Sequence, residues 1–361
     1  MNERLEKLLS QSLPLDAISY KKRIELLQES SLLQENLPEE IACLDPRTQD
    51  KVLYSLKRQN RPHDPEPALS SSQDIDCPIC LGKTTEVWDK APLTKGYTFT
   101  NSNLYPIVYP FLAPAWSEMT ESQPKAYGTH LLQWHSTEHD KDFHNMPFSD
   151  VVVCMERLAA LEKYLLTQPG PAREEKEGYY GYIWVAKNYG RTSGSSLNHG
   201  HLQIIHSNAM PSSLERDKAF FQKEKKGFSD LLQEKANQNL VIQAYRKQSV
   251  LLLTPFCLKR MLECTICFRD TTKNYLHSLN RDEIQGLSQA LKDAISALDV
   301  LMNKLHKELS YNLLFHIGEI GGLYIEILPY TQQMGGFEHL GAYTCLLTAQ
   351  ESTNQYHKIN F

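Results

Sequence analysis

The sequence has no long apolar run and no signal-like beginning. No stretch among its 361 residues approaches the roughly 20 apolar residues that a membrane-spanning helix requires. Residues 1–7 contain no apolar core of the kind that signal peptides carry. We therefore expect a cytoplasmic protein that has no membrane partner.

The sequence also has no basic excess and no dense set of cysteines. Lys and Arg total 38 against 43 Asp and Glu, and the net charge of -5 argues against a nucleic-acid-binding surface. A local cluster of arginines would still suffice for a small phosphorylated ligand. The eight cysteines are spread along the chain, which is unlike a secreted disulfide framework and favours metal binding or burial.

The sequence pattern predicts a helical arm followed by two copies of one structural unit, the first of which contains a loop. Residues 1–40 are polar with spaced leucines, a pattern that predicts a helical N-terminal arm. A proline-rich loop is expected at 59–76. Two copies of a strand–helix–strand–strand unit are then predicted, at 41–212 and 213–361. In the first copy a helix at 151–166 precedes strands at 179–185 and 202–205. In the second copy a helix at 282–305 precedes strands at 311–317 and 323–328.

Two histidines and a glutamine alternate near the middle of the chain, after a loop rich in small residues. In an extended strand alternate residues share one face, so the His199, His201 and Gln203 side chains are predicted to line up. Small residues upstream would let the backbone approach a phosphate; they are Gly194, Ser195 and Ser196. The arrangement indicates a histidine nucleophile that acts on a phosphate ester. In the second copy Tyr324 and Glu326 stand where the first has His199 and His201, so only the first half is expected to be chemically competent.

Two cysteine pairs have the same spacing but different surroundings. Cys77 and Cys80 flank a proline and are followed by Gly82, which is the usual shape of half a zinc site. The alternative is two unrelated buried thiols. Cys264 and Cys267 lie in a strand-like run, where their sulfurs would point to opposite faces, and this pair is predicted to be structural.

A zinc ion would need two further ligands. Of the 13 histidines, His139 and His199 are the chosen candidates. Spacing alone leaves three alternatives open: His135, His144 and His206.

A family resemblance emerges from these motifs. Residues 194–203 resemble the signature of galactose-1-phosphate uridylyltransferase and its relatives in the histidine-triad superfamily, a small-residue loop followed by His-Pro-His-x-Gln. The resemblance extends over about residues 43 to 350. Further matching segments are Asp45-Pro46-Arg47-Thr48, Arg58 to Pro62, Cys77 with Cys80, Asn103-Leu104-Tyr105-Pro106, Glu138-His139-Asp140 and Gly335-Gly336-Phe337-Glu338.

The resemblance implies an α+β fold of two tandem histidine-triad-like repeats, each an antiparallel sheet with a packed helix. It implies that His201 attacks the α-phosphorus of a nucleoside diphosphate sugar and forms a nucleotidyl–histidine intermediate. A sugar phosphate or phosphate would accept the nucleotide, and a homodimer is expected. A structural Zn²⁺ would be bound by Cys77, Cys80, His139 and His199. Nucleotide and phosphate binding would involve Arg58, Arg61, Asn103, Asn188, Gly194, Ser195 and Ser196.

The chemistry of Gln203 favours transfer over hydrolysis. Its amide could donate a hydrogen bond to a phosphoryl oxygen, but it cannot act as an acid at neutral pH. A histidine at this position, as in the hydrolase branch, could protonate a leaving group. For Arg58 and Arg61 the alternative to phosphate binding is an ordinary solvated basic face.

The sequence also departs from the family pattern. Gly200 replaces the proline between the two histidines. A second metal site of many relatives would involve Glu215 and His316, but Tyr324 and Glu326 replace its His-x-His, so this site is expected to be altered or absent. Hexose-phosphate contacts also have no clear equivalents near Gln332 and Thr344, so galactose is not assumed.

Two other functions stay open at this point. One is a phosphorylase for ADP-sugars or dinucleoside polyphosphates, which would use the same intermediate with inorganic phosphate as acceptor. The other is a nucleotide-binding or regulatory protein on a decayed transferase scaffold.

Overall fold

The computed structural model describes residues 1–38, 42–44, 51–53, 56–62, 77–110, 126–168, 180–236, 239–319 and 322–359. The matching segment Asp45-Pro46-Arg47-Thr48 and most of the predicted loop at 59–76 lie outside these residues. Among the described residues, no helix is both long and apolar enough to cross a bilayer.

The chain combines helices with antiparallel strands. The helices are α1 (Glu3–Ser10), α2 (Tyr20–Glu29), α3 (Ser31–Gln34), α4 (Phe148–Thr167), α5 (Ser212–Glu224), α6 (Phe228–Ala236), α7 (Arg281–Lys304), α8 (Gly336–His339) and α9 (Ala349–His357). The strands are β1 (Ala42–Leu44), β2 (Lys51–Leu53), β3 (Val87–Pro92), β4 (Tyr97–Ser102), β5 (Gly128–Trp134), β6 (Tyr182–Tyr189), β7 (His201–Ser207), β8 (Val241–Tyr245), β9 (Val250–Leu253), β10 (Cys264–Phe268), β11 (Tyr311–His316) and β12 (Tyr324–Pro329).

The chain forms two compact units. The first contains Met1–Lys141, Arg157–Val185 and Ser196–Glu215, and the second contains Asp142–Glu156, Ala186–Ser195 and Arg216–Phe361. Within the first, the strands follow the order β3-β4-β5-β7-β6, and β1 pairs with β2 separately. Within the second, the order is β6-β11-β12-β10-β9-β8. The α+β class with antiparallel sheets is confirmed, whereas the tandem repeats and the separate arm stay predictions.

Helix α1 packs directly on the core of the first unit. The Asn2 side chain caps it by accepting a hydrogen bond from the Arg4 N–H, and Leu5 and Leu9, one turn apart, are both buried. They pack with Cys77, Ile79, Val87, Phe99 and Trp134. Gly82 has a φ of 65°, and a Cβ there would lie 2.6 Å from the backbone nitrogen of Leu5. A larger residue at this turn would therefore displace α1.

The core of the second unit is built on α7. A capping box between Asn280 and Glu283 starts the helix one residue before the predicted position. Its apolar stripe is buried by contact with the sheet and includes Ile284, Leu287, Leu291, Ile295 and Leu298. Gly286 allows the close approach, because a Cβ there would lie 2.7 Å from Cγ2 of Val250 on β9. Cys264 and Cys267 are buried in β10, and burial raises the pKa of each thiol to about 12, which fits inert core residues.

Candidate functional site

The pairing of β5 with β7 presents His201 and Gln203 on one face of the first sheet. Trp134 lies opposite His201 and Leu132 lies opposite Gln203 in this antiparallel pair. The rings of Trp134 and His201 are 4.6 Å apart. Strand β7 begins at His201, so His199 precedes the strand and its side chain turns toward the cysteines. Strand alternation therefore does not apply to His199, and its contacts with the cysteines are those that the predicted role of a zinc ligand requires.

The backbone sets the tautomer of His201. Its Nδ1 lies 2.8 Å from the carbonyl oxygen of His199. A carbonyl only accepts hydrogen bonds, so Nδ1 carries the proton. In the neutral ring the lone pair is then on Nε2, the nitrogen that a nucleophilic role requires.

Four donor groups converge beside this strand. The Nδ1 atom of His199 lies 3.6 Å from Sγ of Cys77 and 3.5 Å from Sγ of Cys80. Nδ1 of His139 lies 3.6 Å from Sγ of Cys80. All four ligand atoms lie within 4.8 Å of one another, so the group could hold a metal ion.

Neighbouring groups orient this cluster. Nε2 of His199 lies 2.8 Å from the carbonyl oxygen of Ser136, which keeps the proton on Nε2 and leaves Nδ1 facing the sulfurs. Cys80 and the two histidines hold the pKa of Cys77 well below its usual range. Within the described part of the chain, the converging set does not include the alternative histidines His135, His144 and His206.

Two arginines lie close enough for the charge of one to act on the other. The Arg58 guanidinium is half-buried and donates to the carbonyl oxygen of Tyr105. Burial and the charge of Arg61 lower the pKa of Arg58 to about 10. Among the residues that the structure describes, neither arginine forms an ion pair with a carboxylate. Such a pair of like charges is stabilised when an anion binds.

Asn103 is held in the turn that Arg58 contacts through the carbonyl oxygen of Tyr105. Its Oδ1 accepts the Tyr105 N–H at 2.9 Å, and its Nδ2 lies 3.1 Å from Nε2 of His130. His130 was not among the predicted site residues. A single histidine inside a strand carries no sequence signal of function, and only the pairing of β5 with β7 places it beside Gln203.

The predicted phosphate loop divides between the two units. Asn188, Gly194 and Ser195 belong to the second, and Ser196 belongs to the first. In the second unit Asn312 donates to Oδ1 of Asn188 at 2.7 Å and to the carbonyl oxygen of Ser193 at 3.1 Å. Gly194 has a φ of 85°, a conformation that favours glycine.

The position of the relatives' second metal site contains an ion-paired histidine. His316 Nε2 lies 2.7 Å from a Glu326 oxygen, and Nδ1 lies 3.7 Å from an Asp217 oxygen. Tyr324 stacks on the imidazole at 4.1 Å and donates to Asp217 at 3.1 Å. The acidic neighbour in this unit is therefore Asp217 and not the predicted Glu215. The two carboxylates face opposite nitrogens of one ring, so the three groups do not converge on a point where an ion could bind.

The late Gly-Gly-Phe-Glu segment forms a local cap. Glu338 accepts the Gly335 N–H at 2.8 Å at the start of α8, and Phe337 is exposed. Gln332 donates to the carbonyl oxygen of Thr344 at 2.6 Å.

The chain is similar in sequence to two known enzymes and similar in fold to a solved structure. No family model matches it. It is 24% identical to an ADP-glucose phosphorylase from Arabidopsis thaliana over 81% of this chain and 85% of that protein. It is 21% identical to a galactose-1-phosphate uridylyltransferase from Thermotoga maritima over 75% of this chain and 78% of that protein. A solved uridylyltransferase structure has the same fold, with a TM-score of 0.66 and 22% identity over 88% of this chain and 97% of that one.

Proposed function

We propose that the chain is a member of the galactose-1-phosphate uridylyltransferase-like family and that it transfers a nucleoside monophosphate through a histidine intermediate. The donor would be a nucleoside diphosphate sugar, and the acceptor a sugar phosphate or inorganic phosphate. The observation that carries this proposal is the hydrogen bond that fixes the tautomer of His201.

His201 is proposed as the nucleophile. Its Nε2 attacks the α-phosphorus, an N–P bond forms, and the P–O bond to the leaving sugar phosphate breaks. In the second half-reaction an acceptor phosphate oxygen attacks the same phosphorus and the N–P bond breaks. The proton on Nδ1 stays hydrogen-bonded to the His199 carbonyl and supports the positive charge that develops on the ring.

Gln203 is proposed to stabilise the transition state. It stands two residues after His201 on the same strand face. Its amide would donate to a non-bridging phosphoryl oxygen, where negative charge increases. Arg58 and Arg61 would bind the phosphates of the donor. Asn103 would lie near the nucleoside. Asn188, Gly194, Ser195 and Ser196 remain the candidates for the phosphate loop.

We assign the four-donor cluster to zinc. A tetrahedral zinc with sulfur ligands at about 2.3 Å and nitrogen ligands at about 2.0–2.1 Å separates sulfur from nitrogen by about 3.6 Å. The corresponding separations here are 3.5 and 3.6 Å. Four protein ligands fill the coordination sphere, so the ion would stabilise the fold around Cys77, Cys80, His139 and His199.

Trapping of the intermediate tests the proposal. The protein is incubated with UDP-glucose or ADP-glucose labelled at the α-phosphate, and label on the denatured protein is counted. We expect label that is released by acid, because a phosphorus–nitrogen bond on histidine is acid-labile. His201→Ala should carry no label, whereas His306→Ala, at an exposed histidine, should be labelled normally.

Two results would contradict the mechanism. One is that the folded wild type acquires no label from either donor. The other is that His201→Ala acquires as much as the wild type. Tight nucleotide binding with no label would instead favour a regulatory protein.

A phosphorylase is the second candidate. The ADP-glucose phosphorylase match favours it, as does the change of the second half at Tyr324 and Glu326. Inorganic phosphate would then attack the nucleotidyl–histidine and release a nucleoside diphosphate. A phosphorylase should release ADP from ADP-glucose only when inorganic phosphate is added, and a sugar phosphate should not substitute for the phosphate. This requirement would distinguish the reaction from transfer between sugars.

A further inference from the structure

Two asparagine side chains contact each other beside the predicted phosphate loop in the second unit. Asn188 lies on β6 and Asn312 lies on β11, and the two strands are neighbours in the sheet. The Nδ2 atom of Asn312 lies 2.7 Å from Oδ1 of Asn188 and 3.1 Å from the carbonyl oxygen of Ser193. The two hydrogens of this NH₂ group therefore serve two acceptors, one of them in the loop itself.

The backbone carbonyl of Ser193 determines which way both amides face. A carbonyl oxygen only accepts hydrogen bonds, so the end of the Asn312 amide beside Ser193 is its NH₂ group. The same NH₂ group faces Asn188, so the end of the Asn188 amide at that contact is its oxygen. The NH₂ group of Asn188 is therefore turned away from Asn312.

The NH₂ group of Asn188 is on the side of the loop glycine. A Cβ at Gly194 would lie 4.0 Å from Nδ2 of Asn188, and in the described part of the chain no other heavy atom beyond its chain neighbours comes as close. Among the residues that the structure describes, no group accepts a hydrogen bond from this Nδ2 atom. An amide donor beside a bare glycine backbone is complementary to a phosphate oxygen.

The loop has hydrogen bonds of its own that do not involve Asn312. Ser193 donates twice to the carbonyl oxygen of Gly190, through its N–H at 3.3 Å and through its hydroxyl at 2.7 Å. These contacts close the turn locally. Loss of the Asn312 amide should therefore act mainly on the orientation of Asn188 and much less on the shape of the loop.

We propose that Asn312 is a positioning residue that holds the oxygen of the Asn188 amide and thereby presents its NH₂ group to a phosphate of the nucleotide. This inference rests on the proposed function, because it concerns how the phosphates of the nucleotide donor are bound. It requires that the effects of Asn312 and Asn188 on nucleotide affinity depend on each other. A pair that only holds the two strands together would leave the affinity unchanged.

A double-mutant cycle on nucleotide affinity tests the coupling. The Kd values for ADP and UDP are measured by isothermal titration calorimetry for the full chain, Asn188→Ala, Asn312→Leu and the double variant. Asn188→Ala should weaken binding about 10- to 100-fold, because a hydrogen bond to a charged group is lost. Asn312→Leu should weaken it about 2- to 10-fold, because the released amide must be ordered again on binding, and it should have no measurable further effect once Asn188 is alanine.

Two aspartate variants separate positioning from structural support. Asn188→Asp keeps an acceptor for Asn312 but turns a carboxylate oxygen toward the phosphate, so affinity should fall at least as far as in Asn188→Ala while the melting temperature stays close to that of the wild type. Asn312→Asp accepts from the Asn188 NH₂ group and so reverses that amide. Its loss of affinity should be greater when Asn188 is present than in Asn188→Ala, where only the added charge acts.

Controls accompany the titrations. Asn303→Leu, at an exposed asparagine of α7, should bind both nucleotides as the wild type does. Melting temperature and bound metal are measured for every variant, and Asn312→Asp takes the place of Asn312→Leu in the cycle if the leucine variant does not fold.

The outcomes distinguish this inference from the proposed function. If the Asn312 variants weaken binding by the same factor with and without the Asn188 amide, the positioning role is refuted. Normal nucleotide affinity in Asn188→Asp would also refute it. If the wild type binds a nucleotide but acquires no label on His201, the proposed function fails alone, because the affinities still test Asn312. A wild type that binds neither ADP nor UDP overturns both.

Discussion

Removal of the His316 charge should change how the stability of the second unit depends on pH. Burial alone would lower the pKa of this histidine, but Asp217 and Glu326 raise it from 6.5 to about 9. In the folded chain the ring therefore binds its proton up to about pH 9, whereas in the unfolded chain it loses the proton near pH 6.5. The stabilisation by His316 is fully present below pH 6.5 and is lost as the pH rises to 9.

The size of this effect follows from the two pKa values. One pKa unit corresponds to about 1.4 kcal/mol, so the rise from 6.5 to about 9 amounts to roughly 3 kcal/mol of unfolding free energy. Side-chain exposure is 11% for His316 and 30% for Glu326, so solvent screening removes only part of it. Glu326 has the opposite dependence, because its pKa is lowered from 4.5 by the same ion pair and its contribution is lost only in acid.

The assay compares urea unfolding of the wild type and His316→Gln at pH 6.5 and pH 9. All four tryptophans precede residue 185 and none belongs to the second unit, so unfolding is followed by far-ultraviolet circular dichroism and not by tryptophan fluorescence. The wild type should lose roughly 3 kcal/mol more than the variant between the two pH values. Burial also raises the pKa of the nearby Glu263 to about 7, and its contribution cancels in this difference.

Tyr324→Phe is the matched control, since it keeps the ring stacked on His316 and removes only the hydroxyl. It should retain most of the pH dependence. Equal pH dependence in the wild type and His316→Gln would refute the ion-pair interpretation. So would a second equivalent of bound metal that disappears in His316→Gln, because a metal ligand must be unprotonated.

Two further predictions concern other clusters. Cys77→Ser should lose the bound zinc, about one ion per chain in the wild type, and should unfold at a lower temperature; Cys257→Ser, at an exposed free cysteine, should change neither elemental zinc content nor melting temperature. In the second unit Lys187 lies 2.7 Å from Asp142, and both are buried. Lys187→Met should lower the urea-unfolding free energy by about 3–5 kcal/mol, because it leaves a buried carboxylate unpaired, and adding Asp142→Asn should recover part of this loss. Additive losses in the double variant would show that the pair contributes no coupling.

Local patterns in the sequence predicted much of the fold. The long helix was expected at 282–305 and lies at Arg281–Lys304, because an apolar stripe and a capping box are both encoded by residues within a few positions. The strand at 323–328 is found at Tyr324–Pro329, because its run of apolar residues is also a local pattern. The alternation at first expected to include His199 begins only at His201, since the start of a strand depends on its partner as well as on its own residues. The predicted role of His199 as a zinc ligand already required its side chain to turn toward the cysteines.

Contacts between distant segments were harder to predict. The Asp217 partner of His316 is 99 residues away in the sequence, and alternation within β11 contains no information about α5. Glu215 was preferred because the family pattern calls for a glutamate there. The packing of α1 against Gly82 likewise depends on a close approach that neither segment reveals alone.

By itself, the sequence identified the residues that can carry out the chemistry. Its local motifs are the Cys77–Cys80 pair, the two alternating histidines and Gln203. They can be recognised in the sequence because a metal-binding turn and an alternating strand both need particular residues at short spacing. The tertiary structure decided what these residues do to one another. It set the tautomer of His201 and placed His130 diagonally across β5 and β7 from Gln203. These relations depend on strand register and burial, which join residues far apart in the chain.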